Sequence, residues 1–481
     1  MGDTQILASH RVFERVYNLT GIRTGSVRDQ MLRALLLTQS LHSDKTEITD
    51  RPNGKLLVVG GGVAGVTCAL VASSLNVDVT LIEKESNFFS TFAQARSRRI
   101  DPYEYDWPQA VQIPASFPKL PPYFTLQYKT GAAATVARDW HIAFQYWLHN
   151  ANPSSGGHVE IEKNDASLFT FPSGMNSAKD VNVVGPWNNG TLSNTFGAVV
   201  ICAGFGGEKT SVGAYKGPGF WTFDDGIEKP SFGFMPPNTP LKHGILISGG
   251  GDGAMQDFQR AATGVFGSEL LTRLEDALPG KVKLKEFAPD VLLRFALADD
   301  RAKRAYAWAP ASSNGIPSQM SDWHKQYVLG VDELIKRFAN AAGFSSINAA
   351  SKHLADHLLR DEVKNGLKVV WIVKDGHPGY AYALNRFLST LLDTLFRAWD
   401  PSLHVLRRNT TIQKIVPFDA HTCGNPATCH GRVHEVTFAP VPAPEKFEMI
   451  LIRHGLESNS IKNVPHKPPI SEQMSPYDIP H

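Results

Sequence analysis

Apolar residues in this chain come mostly in short, unbroken runs that end on glycine, not in long alternating ribbons. "KLLVVG" (55–60) is such a run and predicts a buried strand. "VAGVTCALVASSL" follows at 63–75, with small residues where a helix must lie close to a sheet. "DVTLIEKE" (78–85) predicts a second strand that ends on acids. Further on, "TVARDWHIAFQYWLHNA" (135–151) reads as a helix, "HVEIEKN" (158–164) as a strand, and "FGAVVICAGFGG" (196–207) as an apolar strand closing on glycine.

The second half runs in the same order. "HGILISGGG" (243–251) is a strand into glycines, and "AMQDFQRAATGVF" (254–266) starts a helix. A mainly helical stretch, about 256–365, intervenes. Then "LKVVWIVKD" (367–375) predicts a strand, "YALNRFLSTLLDTLFRAW" (382–399) a long helix, "HVLRRNTTIQKIVPF" (404–418) a strand region, "GRVHEVTFAP" (431–440) a hairpin strand, and "FEMILIRHG" (447–455) a closing strand. Strands alternating with helices favour parallel sheets. The expected fold is α/β: two Rossmann-like three-layer units with small β excursions, and a helical insertion in the second unit. The expected boundaries are a helical extension and linker at 1–53, a first unit at 54–240, a second at 241–456, and a tail at 457–481.

Composition narrows the function classes. Lys plus Arg number 48 against 46 for Asp plus Glu, a net +2 over 481 residues. This balance gives no support for a nucleic-acid partner, which a basic stripe would mark. The four cysteines, Cys68, Cys202, Cys423 and Cys429, are too few for a disulfide-stapled fold, and none forms a Cys-x-x-Cys pair. The N-terminus does not read as a secretory signal, and no apolar run reaches the ~18 residues of a membrane helix. A cytoplasmic protein acting on a small molecule is the expectation; nothing in the sequence fixes its oligomeric state.

The first glycine turn carries the chemistry. Gly60-x-Gly62-x-x-Gly65 lies between a predicted strand and helix. Gly60 permits the tight turn, Gly62 lets backbone approach a diphosphate, and Gly65 lets the helix pack on the strand. The helix N-terminus then offers free N–H groups to phosphate. Glu83 ends the second strand, where a carboxylate can accept hydrogen bonds from ribose hydroxyls.

This unit resembles the N-terminal unit of the two-dinucleotide-binding-domain flavoproteins, in which an early "VxGGGxAG" and a glutamate closing the second strand bind the ADP half of FAD. "FGAVVICAGFG" resembles the family's closing strand, with Cys202-Ala203-Gly204 replacing part of the usual Ala-Thr-Gly. The resemblance implies FAD bound at Gly60, Gly62, Val63, Ala64, Gly65, Glu83, Lys84, Arg98 and Gly204. Arg98 or Arg99 in "RSRRIDPYEYDWP" (96–108) would pair with diphosphate or stabilise an anionic reduced flavin.

The second turn, Gly249-x-Gly251-x-x-Ala254, has alanine in the third place, which in that family often accompanies NADP. Val373 occupies the position of Glu83, and Lys374 follows it, placed for a 2′-phosphate. Asp252 is placed near the helix N-cap; were it to face the turn, it would repel a diphosphate. His377 in "KDGHPGYAYALNRFL" (374–388) is a candidate acid or base.

Two other motifs read as structure. "HTCGNPATCHGRVH" (421–434) lacks finger spacing for zinc and reads as a polar hairpin loop, so no metal is expected. "LIRHGLESN" (451–459) is similar to the signature of phosphoglycerate-mutase-like phosphatases, but too little chain follows it to supply the rest of such a site. The leading expectation is an FAD-dependent oxidoreductase, an NAD(P)H-using reductase or monooxygenase. The alternatives are an amine or amino-acid oxidase or dehydrogenase, and a non-catalytic flavin- or nucleotide-binding sensor.

Overall fold

The computed structural model describes residues 3–19, 27–44, 48, 54–101, 103–104, 107–108, 126, 130–154, 156–171, 180–187, 190–204, 207–221, 243–308, 317–379, 381–400, 405–418, 433–441 and 443–455. The chain divides into two compact units. The first holds 1–102, 112–207 and 456–481; the second holds 103–111 and 208–455.

The first unit contains strands β1 (Arg11–Phe13), β2 (Val16–Asn18), β3 (Leu56–Val59), β4 (Val79–Ile82), β5 (Arg99–Ile100), β6 (Gly131–Ala132), β7 (Val159–Glu162), β8 (Val181–Gly185), β9 (Leu192–Phe196) and β10 (Ala198–Ile201). Its helices are α1 (Asp3–His10), α2 (Val27–Ser43), α3 (Val63–Ser74), α4 (Ser90–Ala93) and α5 (Ala133–Asn150). The main sheet runs β1-β2-β10-β3-β4-β7, parallel except for the β1–β2 hairpin. Alternate residues of its strands face opposite sides. Leu57, Val59, Ile82, Val199 and Ile201 share a core with Phe169, Val183, Trp187 and Phe196 on and around the β8–β9 hairpin. α3 packs against the sheet and carries α2 on its outer side, through Leu32, Leu35 and Val71.

Residues 1–53 thus do more than the helical extension read from the pattern. Val16 and Tyr17 are fully buried, and β2 pairs in parallel with β10. A three-residue strand has too little sequence to show a period, and its partner lies far along the chain.

The second unit contains β11 (Ser211–Val212), β12 (Tyr215–Lys216), β13 (Ile245–Ser248), β14 (Val369–Ile372), β15 (Leu406–Arg407), β16 (Thr411–Pro417), β17 (His434–Ala439), β18 (Pro444–Phe447) and β19 (Met449–Ile452). Its helices are α6 (Asp252–Thr263), α7 (Gly267–Ala277), α8 (Leu284–Phe287), α9 (Pro289–Trp308), α10 (Pro317–Ala341), α11 (Ile347–Leu358), α12 (Asp361–Lys364) and α13 (Ala383–Trp399). The parallel sheet β15-β14-β13-β19 is covered on one face by the antiparallel β16-β17-β18 sheet, through Leu246, Val370, Ile450, Val436, Phe438 and Phe447. Ile245, Ile247, Trp371 and Leu451 belong to the larger core shared with the helices. Helix, parallel sheet and small β sheet therefore recur in both units, and the fold is α/β with Rossmann-type parallel sheets.

Candidate functional site

The two glycine turns follow the same backbone path, each within its own unit. In the first, Gly60 adopts φ +107° and its amide donates to Ile82 O at 2.8 Å. The closing strand returns with Cys202 N to Val59 O at 2.7 Å. In the second, Gly249 adopts φ +145°, its amide donates to Ile372 O at 3.1 Å, and Arg453 N donates to Ser248 O at 2.7 Å. The N-cap glycines match as well, with φ/ψ of −77/−171° at Gly62 and −95/−172° at Gly251.

Three glycines of the first turn have different jobs. A Cβ on Gly60 would lie 2.5 Å from Cys202 O, and one on Gly65 would lie 1.8 Å from Gly60 O. Both positions are set by internal packing. A Cβ on Gly62 would meet nothing within 4 Å, so that glycine faces open space at the start of α3. No side chain caps this helix end, and its first-turn amides are available to an anion. Val63, Ala64 and Gly65 supply that first turn. Gly204, after β10, adopts φ +87° and also faces open space.

Glu83 sits beside the turn, only 8% exposed. Its Oε2 accepts from Gly61 N at 2.5 Å and its Oε1 from Glu85 N at 2.7 Å. Two fixed amides hold the carboxylate, and each oxygen keeps lone-pair capacity for a further donor. Lys84 is exposed and lies 3.8 Å from Glu85. Lys163, just past β7, donates to Glu85 O at 2.8 Å and lies 4.3 Å from the Phe88 ring centre. Partial burial lowers its pKa, while Glu83 and Glu85 oppose that shift. His141 Nδ1 accepts from Phe88 N at 3.3 Å; burial, then Lys163, lowers its pKa. Neither Lys163 nor His141 stood out in the sequence. The signal for Lys163 was its place after a parallel strand, since parallel strands end at one sheet edge.

Arg98 is buried, and its carbonyl accepts from Ala133 N at 2.8 Å; Arg99 pairs with Ala132 in the β5–β6 ladder. Cys68 and Cys202 are both buried, and burial together with the neighbouring Cys68 raises the Cys202 pKa well above that of an ordinary thiol. Such thiols are inert packing groups. Cys423 and Cys429 lie outside the described residues, as does the tail.

The acid of the second turn turns away from it. Asp252 is the first residue of α6, and Gly251 takes the N-cap place expected for it. Its Oδ1 accepts from Tyr382 N and Asn385 Nδ2, both at 2.8 Å, so it serves the start of α13. Burial raises its pKa to about 6 against the pull of those bonds and of Arg386. Ala254 is buried, and Val373 is buried where Glu83 stands in the first unit. Lys374 is exposed. Arg453 takes the place of Cys202; it donates to Asp257 at 2.7 Å and to Pro218 O at 2.6 Å. His454 Nε2 and Ser248 Oγ are 2.8 Å apart beside it. His377 is half-buried, with Nδ1 3.1 Å from Pro378 O. His377 and Arg99 fall in different units.

Residues 17–102, which include the first turn and Glu83, match the family described as pyridine nucleotide-disulphide oxidoreductase. This stretch of the first unit is therefore similar to part of a family of pyridine nucleotide-dependent oxidoreductases. The free turn, the open face at Gly62 and the anchored Glu83 carboxylate fit the ADP half of FAD. No curated protein sequence matches the chain. Among solved structures, thioredoxin reductase of Lactococcus lactis (FR conformation) shares 11% identity over 84% of this chain and 78% of its own, with a TM-score of 0.35. The bacillithiol disulfide reductase Bdr of Staphylococcus aureus shares 9% over 84% and 76%, with a TM-score of 0.36. LpdA of Mycobacterium tuberculosis shares 10% over 83% of this chain and 58% of its own, also at 0.36.

Proposed function

We propose that this protein takes reducing equivalents from NADPH and delivers them to a small organic acceptor, as an FAD-dependent reductase or monooxygenase. FAD, when bound, supplies the two-electron carrier. The chain's own residues bind and orient. The amides at 62–65 would hold the diphosphate, and Glu83 would accept from the adenosine ribose. Lys163 would keep the 83–88 loop in place from below. The observation that carries the reading is the Glu83 carboxylate, fixed by Gly61 and Glu85 beside an uncapped helix.

The second turn supports the choice of NADPH. It keeps the phosphate-binding backbone path, and its acid is committed to α13. It lacks a ribose-binding carboxylate, which favours NAD, and offers exposed Lys374 next to buried Val373. Among the described residues the cysteines are buried, so a dithiol relay to substrate is not part of the proposal.

The test is anaerobic bleaching of the flavin band by NADPH and by NADH, repeated with Lys374→Ala. The expected result is faster bleaching by NADPH, with roughly a tenfold loss of NADPH affinity in the variant and little change for NADH, since one charge-assisted contact is worth about 1.5–3 kcal/mol. Bleaching by neither nucleotide, with bleaching by amines, would replace this reading with an oxidase. Bound flavin that no donor reduces would replace it with a sensor.

A further inference from the structure

Ala64 and Gly253 hold the same place in the two units, the second residue of the helix that follows the glycine turn. Alanine stands there in the first unit, so such a turn does not itself require glycine. In the second unit a Cβ on Gly253 would come within 3.1 Å of Phe220 Cδ2 and 3.3 Å of its Cε2. The space of the missing methyl group is taken by the Phe220 ring. The Cβ direction at a helix start leans towards the N-terminus. The ring therefore lies on the side from which an anion would reach the first amides of α6, an end that no side chain caps.

Phe220 belongs to a short arm, 217–221, that leaves the β11–β12 hairpin. The hairpin itself is well anchored. Val212 and Tyr215 pack on the core under the small sheet, Tyr215 Oη donates to Ile450 O at 2.8 Å, and Lys209 N donates to Gly455 O at 2.8 Å. The arm is latched by separate contacts. Phe220 N donates to Glu208 Oε2, and Arg453 donates to Pro218 O at 2.6 Å, with its guanidinium carbon 5.8 Å from the Phe220 ring centre. Arg453 is in turn held by Asp257 of α6 at 2.7 Å. Gly217 and Gly219 flank Pro218, so the backbone beside the ring can turn at low steric cost. Phe220 is half-buried, and a half-buried ring on such an arm opens more readily than a core ring.

We propose that Phe220 gates the second turn: the ring covers the first turn of α6, and the 217–221 arm must swing away before a dinucleotide diphosphate can sit there. This rests on the reading of that turn as the NADPH site and adds a regulation of it. Arg453 and Glu208 hold the closed position, and Gly253 makes room for it. Apparent affinity is the intrinsic affinity reduced by the fraction of molecules that are open, so loosening the arm strengthens binding.

The probes are NADP⁺ and inorganic pyrophosphate, titrated by calorimetry into the full chain loaded with FAD. Phe220→Ala removes the ring and should bind both probes more tightly than the parent, by about tenfold where roughly a tenth of the parent is open. Glu208→Ala removes the acceptor of the Phe220 amide, keeps the ring, and should shift both affinities the same way. It decides in place of Phe220→Ala if that variant does not fold. NADP⁺ bound no more tightly by the variant than by the parent overturns the gate and leaves the NADPH site standing; weaker binding would make Phe220 a wall of that site. Pyrophosphate bound more tightly by the variant, with NADP⁺ bound by neither protein, keeps the gate and overturns the NADPH reading. Neither probe bound by either protein overturns both.

Discussion

The Glu83 carboxylate accepts a 2.5 Å hydrogen bond from the amide of Gly61, the middle glycine of the first turn. The residue that would grip the sugar is therefore braced by the turn that would grip the phosphates. The second amide bond, from Glu85, fixes its other oxygen. A carboxylate held this way presents its remaining lone pairs in one direction, which saves the ordering cost when a ribose arrives.

Replacing Glu83 tests that brace. Glu83→Gln keeps the shape and one acceptor but loses the charge, and Glu83→Ala loses both. Flavin affinity should fall in the order parent, Gln, Ala, with the glutamine variant weaker by roughly tenfold, about the 1.4 kcal/mol of one weakened charged hydrogen bond. Flavin retained through gel filtration, with far-UV circular dichroism as the folding control, measures it. Equal retention in all three would remove Glu83 from the site.

Gly62 and Gly65 separate binding from folding. A Cβ at Gly62 meets open space and its backbone angles suit alanine, so Gly62→Ala should melt like the parent without flavin yet bind flavin poorly. A Cβ at Gly65 meets Gly60 O at 1.8 Å, so Gly65→Ala should lose stability by roughly 1–3 kcal/mol or more from overpacking. Denaturant midpoints of the flavin-free proteins distinguish the two. A flavin-competent Gly62→Ala would mean that no diphosphate approaches that face.

Asp252 gives a pH signature. Its folded pKa, about 6, stands above the 3.8 of the unfolded chain, so the folded state holds the proton more tightly. Its contribution is fully present below pH 3.8, fades as pH rises through 6, and is level above that. Asp252→Asn keeps an acceptor for Tyr382 and Asn385 and removes the buried charge. The variant should lose less stability than the parent from pH 4 to 7, by at most about 1.4 kcal/mol per pH unit across the window. Urea titrations at pH 4, 5, 6 and 7 read this; parallel profiles would mean that Asp252 does not titrate there.

Local backbone requirements are what made the first site legible in the sequence. Gly60, Gly62 and Gly65 announce a turn because no other residue satisfies a positive φ, an open approach and a 1.8 Å conflict within six positions. The strand–helix order was legible for the same reason, since short apolar runs fix strands one at a time. What stayed hidden depends on distant partners. Lys163 meets the Glu85 carbonyl across 78 residues, and Asp252 meets Tyr382 across 130. The short strand β2 has no period of its own and is defined by β10.

That strand leads to an acid-lability prediction. His10 is buried beside β2, its Nδ1 3.2 Å from Asn18 O; burial, then Arg33, lowers its pKa to about 3. The unfolded chain binds a proton near pH 6.5 and the folded chain does not, so stability falls as pH drops from 6.5 towards 3. The slope is about 1.4 kcal/mol per pH unit for one such group. His10→Gln, which cannot titrate, should lose less stability than the parent between pH 7 and 5. Because β2 pairs with β10, and β10 runs into Gly204 beside the first turn, acid should expose the amides of Val16–Asn18 before those of β3. Hydrogen exchange at pH 5 and 7 reads that order. Protection lost first in β3, or an unchanged slope in His10→Gln, would place the acid-sensitive group elsewhere.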